Sequence, residues 1–287
     1  MMKRSGSTAW SRVLTIACLL AGAFPASISL AQDAPVPREF FDARRHSGDR
    51  IRYCLNMSSA LAEFDREVGR QVAGALFLES EFFEVKVPST PYPLDYRIDI
   101  TDDDLFIFMN KRCDAFLGFS ISPDDTPEWV TPTRPYHSTR FRLAFAKTGA
   151  KSLADLPPAS PVGAVMGSSA DAAYRIWLSN AGSLPLRRLP YPDNQLLIER
   201  LRDGSLAAAL LWEPAVYLAT GGKPEAAGLF LFGDIPFPVG SVDLGIAVRP
   251  NEAFLRTQLD SAIESLVKDG TIEKLKAKFG LPASSGK

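Results

Sequence analysis

Histidine is nearly absent from this 287-residue chain: only His46 and His137 occur, and they stand too far apart in sequence to suggest paired metal ligands. No glycine-rich phosphate loop of the GxGxxG or Walker type is found, which removes the common nucleotide-binding folds. No paired carboxylates and no nucleophile with a base at motif spacing appear, so the sequence carries no signal for catalysis. Basic residues form no cluster. With 32 basic and 33 acidic side chains the formal net charge is −1, which gives nucleic acid or an anionic membrane surface little to hold. Cysteine is scarce as well, with Cys18, Cys54 and Cys113 only.

What is present begins with a basic start (Lys3, Arg4, Arg12), the apolar run "VLTIACLLAGAF" and the small-x-small pair Ser29 and Ala31. Residues 1–31 read as a cleaved secretory signal peptide and 32–49 as a flexible lead-in. Pro25 and nearby serines interrupt the apolar run, which favours cleavage over a membrane anchor. The expected location is therefore periplasmic. Cys54 and Cys113 remain after cleavage in an oxidising compartment, where a disulfide and two separate thiols both stand as readings.

With 46% hydrophobic residues the chain can bury a large core. From Arg50 strand and helix patterns alternate. "RIRYCLN" reads as a strand. The next segment sets Leu61, Phe64, Val68, Val72 and Leu76 on one helical stripe, and "EFFEVKVP" is again a strand. "DDDLFIFMNKR" fits a helix with acids at its positive end, and "CDAFLGFSIS" a buried strand. The order repeats after "RFRLAFA": strand "SPVGAVMG", a helix capped by Ser168 or Ser169, a short strand, a helix closed by Gly204, and the continuous apolar strand "SLAAALLW" typical of parallel sheets. The expected fold is α/β, two βαβ lobes joined by two crossing strands. Residues 50–141 plus 248–287 form lobe 1, and 142–247 form lobe 2 including the crossing strands.

The segments "CDAFLGFSISPD", "RPYHSTRFRLAFAK", "KSLADLPPASPVGAVMGSSADAAY" and "VDLGIAVRPNEAFLRTQLDSAIESL" resemble the family-3 periplasmic solute-binding proteins over Arg50 to Leu281. The resemblance implies the type II periplasmic binding fold. It also implies a ligand-binding arginine near Asp125 or Thr126 and an acidic residue where Trp212 stands; the chain has no arginine there, and Glu213 is the only acid beside Trp212. A narrower resemblance, to the J-type accessory proteins associated with PQQ-dependent methanol and alcohol dehydrogenases, rests on "RYCLN", "PTRPYHSTRFRLAF" and "AAALLWEPAVYLAT".

That narrower resemblance implies a non-catalytic, monomeric accessory that engages a quinoprotein dehydrogenase without a cofactor of its own. The alternative is the receptor of an ABC transporter, working with a permease and taking an amino acid-like or small anionic ligand. Ligand or partner contacts are expected from Arg134, Tyr136 and His137 at the approach to the first crossing strand. Ser168 and Ser169 are expected at a helix N-terminus able to hold an anion, and Trp212, Glu213 and Tyr217 at the second cleft wall.

Overall fold

A computed structural model describes residues 49–86, 101–121, 126–146, 150–180, 185–232 and 235–283. The leader and lead-in through residue 48, the helix end expected near Gly182 and residues 122–125 lie outside the described residues.

The apolar stripe noted above finds a sheet to cover. β1 (Arg50–Asn56) and β2 (Glu79–Val85) pair in parallel, and α1 (Ala62–Ala75) connects them. Leu61, Phe64, Val68 and Val72 are almost wholly buried against Tyr53 and Leu55 of β1, each such side chain contributing about 1.5–3 kcal/mol of apolar transfer. α2 (Asp102–Lys111) begins with a reciprocal cap: Thr101 Oγ accepts from the Asp104 amide while the Asp104 carboxylate accepts from the Thr101 amide. Its Leu105 and Met109 cover the opposite face of the sheet.

β3 (Ala115–Ile121) joins β1 in parallel. β4 (Thr131–Pro132) and β5 (His137–Thr139) are short strands completed only by β11 (Val242–Val248), which runs antiparallel to β3, β4 and β5. The first sheet thus has the order β2-β1-β3-β11-β4, with β5 also on β11. All of β11 hydrogen-bonds within this sheet, so the strand expected to run with lobe 2 belongs to lobe 1.

After Arg140 the chain enters the second sheet as β6 (Phe141–Phe145), followed by β7 (Pro161–Val165), α3 (Ser169–Ser179), β8 (Arg187–Tyr191), α4 (Asn194–Arg202), β9 (Ala208–Trp212), α5 (Glu213–Ala219) and β10 (Phe230–Phe232). The order is β10-β6-β9-β7-β8, with the β7, β8 and β9 pairings parallel. α3 packs on one face through Ala170 and Tyr174, and α4 on the other through Leu197, Ile198 and Leu201. The chain returns to the first sheet and ends with α6 (Ala253–Lys268) and α7 (Thr271–Lys278), which share the α1 face.

Cys54 and Cys113 form a disulfide, with Cα atoms 5.5 Å apart. Cys113 lies two residues before β3, in the bend that follows α2. There it is not held to the strand register, in which Cys54 opposes Phe116.

Candidate functional site

The carboxyl ends of the parallel strands in both lobes open on one cavity of about 800 Å³, the usual place for a ligand in open α/β sheets. The lobe 1 wall is the turn after β1, with Asn56, Ser58 and Ser59, together with Gly118 and Ser120 of β3. Asn56 Oδ1 accepts from the Ser58 amide at 2.9 Å and Ser59 Oγ from the Leu61 amide at 3.1 Å, which shapes the turn that starts α1. The lobe 2 wall is the first turn of α4 with Trp212. Asp193 caps α4 by accepting from the Leu196 amide at 2.8 Å, and Asn194 Oδ1 accepts from the Trp212 amide at 3.2 Å. Val242 and Leu244 of β11 also line the cavity.

Behind the lobe 1 wall lies a buried acid. Asp65, 2% exposed, accepts from the Tyr136 hydroxyl at 2.7 Å, and that hydroxyl accepts from the Gly118 amide at 2.9 Å. Burial raises the Asp65 carboxyl to about 7, against the smaller lowering effect of the Tyr136 bond. Gly118 has φ +73°, a left-handed conformation that suits glycine, and a Cβ there would stand 2.6 Å from Asp65 Oδ2. The β3–β11 register shifts beside it, between Gly245 and Ile246, so Gly118 occupies a bulge.

The residues singled out from the sequence separate into several environments. Trp212 alone lines the cleft. Its indole N–H donates to Thr139 Oγ at 2.8 Å. Arg134 points to the outer face: its guanidinium pairs with Glu264 at 2.8 Å, and its amide donates to Asp260 at 2.6 Å. Asp260 and Glu264 sit one turn apart on α6 and together draw the arginine away from the cleft. Tyr136 is buried beneath the cleft floor.

His137 and Glu213 face a second cavity of about 510 Å³ on the other side of the crossing strands, with Arg140 and Asp243. His137 is 6% exposed, and burial, with Lys276 close by, lowers it to about 4, so it is neutral at neutral pH. Glu213 is buried between Arg140 at 3.4 Å and Arg142 at 3.3 Å. Ser168 caps α3, its Oγ accepting from the Asp171 amide at 3.1 Å, and Ser169 is the first residue of that helix. The α3 N-terminus already holds its own anion, Asp171, which accepts from the Gly167 amide and pairs with Arg188 at 2.6 Å. Tyr217 packs with Leu218 against the lobe 1 core.

Sequence reasoning missed Asp65, Gly118 and the Asn56–Ser59 turn. Asp65 did leave a signal, an acid four residues after Leu61 on the apolar stripe, and Gly118 left another, a lone glycine inside an apolar strand. Among the described residues no group of three or more His, Cys, Asp or Glu side chains could hold a metal ion.

Two α/β lobes, bridged by strands and facing each other across a cleft, define the type II periplasmic binding fold. Comparison with solved structures agrees. An ancestral cationic amino acid solute-binding protein matches at TM-score 0.60 and 19% identity over 80% of this chain and 95% of that one. An amino acid ABC transporter substrate-binding protein from Streptococcus pneumoniae bound to L-arginine matches at 0.57 and 20%, over 81% of this chain and 94% of that one. The GluR0 ligand-binding core from Nostoc punctiforme in complex with L-glutamate matches at 0.56 and 17%, over 81% and 100%. No family model and no curated protein matches the sequence.

Proposed function

We propose that this chain is an extracytoplasmic, non-catalytic solute receptor whose lobes close on a small polar ligand, delivering it to an ABC permease. The observation that carries the reading is the cavity itself. It is walled by both lobes, lined by side-chain amides, hydroxyls and an indole, and set at the carboxyl ends of parallel strands. Rotation of the lobes about the crossing strands would bring the two walls together, and differential affinity for the closed form would drive it. Solute-binding structures of the same fold support the choice. Export through the leader and a periplasmic site of action belong to this reading; no described helix is long and apolar enough to cross a membrane.

The second reading, an accessory of a quinoprotein dehydrogenase, draws on the outward-facing Arg134, which lies in the segment carrying that resemblance and is 44% exposed, within reach of a partner. A thermal-shift screen of small polar solutes, run beside a pull-down with a periplasmic quinoprotein dehydrogenase, separates the two. The receptor reading expects a solute that raises the melting temperature in the absence of any partner. Capture of the dehydrogenase with no solute shift would replace it with the accessory reading.

A further inference from the structure

We infer that α5 is a brace between the lobes, a third connection made without a covalent link, and that it sets their relative placement. The inference rests on the bilobed fold and applies under either functional reading.

α5 belongs to lobe 2 by chain order. Trp212 ends β9 and Glu213 begins α5 with no loop between them, so the second sheet carries the helix stiffly. Val216 is wholly buried in the cluster of Leu197 and Leu211 in that lobe. Its neighbours Tyr217 and Leu218 instead pack on the lobe 1 core, the cluster that holds Leu275 and Leu281. A helix of seven residues thus gives contacts to both lobes.

Both ends of α5 are pinned. At its start the Glu213 amide donates to the Arg140 carbonyl at 2.9 Å, and the Glu213 carboxylate pairs with the Arg140 guanidinium at 3.4 Å. Arg140 is the residue at which the chain crosses from β5 to β6. At the other end Gly222, in the turn after α5, meets Gly280, in the turn after α7. A Cβ on Gly222 would stand 3.0 Å from the Gly280 carbonyl oxygen, and one on Gly280 would stand 3.2 Å from the Gly222 amide nitrogen. The nearest atoms on each side are backbone, so no flexible side chain can give way.

Ending a helix accounts for the left-handed backbone of these glycines, at φ +79° and +67°, but not for their nearness. Gly228 and Gly270 are equally left-handed, at +76° and +78°, and a Cβ on either would meet nothing within 4 Å. Packed surfaces settle into discrete arrangements and do not deform continuously, so a joint seated this closely favours one placement of the lobes. Glu213 and Tyr217 thereby gain a role in joining the lobes, away from the ligand.

The test is pulsed electron spin resonance on the full chain, with spin labels at Ile176→Cys in lobe 2 and Thr257→Cys in lobe 1 and no solute added. Both positions are exposed, and Cys54 and Cys113 are held in their disulfide. The parent is expected to give one narrow distance between the labels. In Gly222→Leu and Gly280→Leu that distance shifts or its narrow peak is lost, and hydrogen exchange shows α5 losing protection while β7 and β9 keep theirs. Gly228→Leu carries the same backbone strain into open space and is expected to keep the parent's distance. Should both wedge variants fail to fold, Tyr217→Ala unseats the helix without backbone strain and carries the same expectation. Several distances in the parent, or the parent's distance in a folded wedge variant, overturns the inference. An equal shift in Gly228→Leu also overturns it, because strain alone then accounts for the effect. Neither result bears on whether the cleft takes a solute, which the thermal-shift screen decides separately.

Discussion

The indole N–H of Trp212 and the hydroxyl of Thr139 meet at 2.8 Å, joining the end of β9 in the second sheet to β5 in the first. A bond that crosses between lobes holds only while the lobes keep this relative placement. In a double-mutant cycle of Trp212→Phe and Thr139→Val, the coupling is expected at about 0.5–1.5 kcal/mol in thermal or chemical unfolding, the range of a net neutral hydrogen bond. A coupling near zero would show that the contact does not restrain the lobes.

The disulfide closes a long loop, with Cys54 and Cys113 59 positions apart. On the chain-entropy account, joining them removes about 4 kcal/mol of freedom from the unfolded state. Cys54→Ala with Cys113→Ala is expected to lose stability of that order in denaturant titration. A reductant should lower the melting temperature of the parent and leave the double variant unmoved.

Gly118→Ala is expected to destabilise by about 1–3 kcal/mol. It combines an unfavourable backbone conformation with a Cβ 2.6 Å from Asp65 Oδ2. Asp65→Asn is the informative second site, because its amide changes the group that the new Cβ would meet. Non-additivity between the two, read in equilibrium unfolding, checks the contact.

Two buried groups should tilt the pH dependence of stability in opposite directions. Asp65 sits at about 7 in the fold against 3.8 as a free side chain, so the native state holds its proton longer. Its contribution is full below the unfolded value and is lost as pH rises from about 4 to about 7, by at most about 4 kcal/mol. His137, at about 4 against 6.5, does the reverse: its contribution is present above 6.5 and is lost as pH falls towards 4. Asp65→Asn is therefore expected to leave a protein that weakens on acidification, and His137→Phe one that strengthens. Chemical denaturation from pH 4 to pH 8 checks both slopes.

Much of the fold was legible because its signals are local. The stripe from Leu61 to Val72, the acid-rich start of α2 and the apolar run of β9 each fix an element without help from a distant one. Strands of two or three residues, such as β4 and β5, exist only because β11 pairs with them from more than a hundred positions away, and no local pattern announces that. The pairing of β11 with β3, β4 and β5 is equally long-range, and no local pattern shows which sheet takes it.

The site was less legible still. Arg134 looked like a cleft residue until Asp260 and Glu264, on a helix far along the chain, proved to hold it on the outside. The serines at 168 and 169 matched an anion site by type, but the carboxylate that occupies their helix end belongs to Asp171. Sequence shows which residues are able to bind, and tertiary neighbours decide which of them are already taken.

Successive residues of the last crossing segment face different chambers: Val242 and Leu244 line the ligand cleft, and Ser241 and Asp243 the cavity behind it. Here β11, flanked by β3 and β5, is a partition one sheet layer thick between two chambers. Should the lobes close as proposed, the front chamber would shrink while the rear one, on the other face of the same layer, would widen. A bulky side chain placed at Ser241 would press on the rear chamber and be felt in the cleft as a change in how readily it shuts.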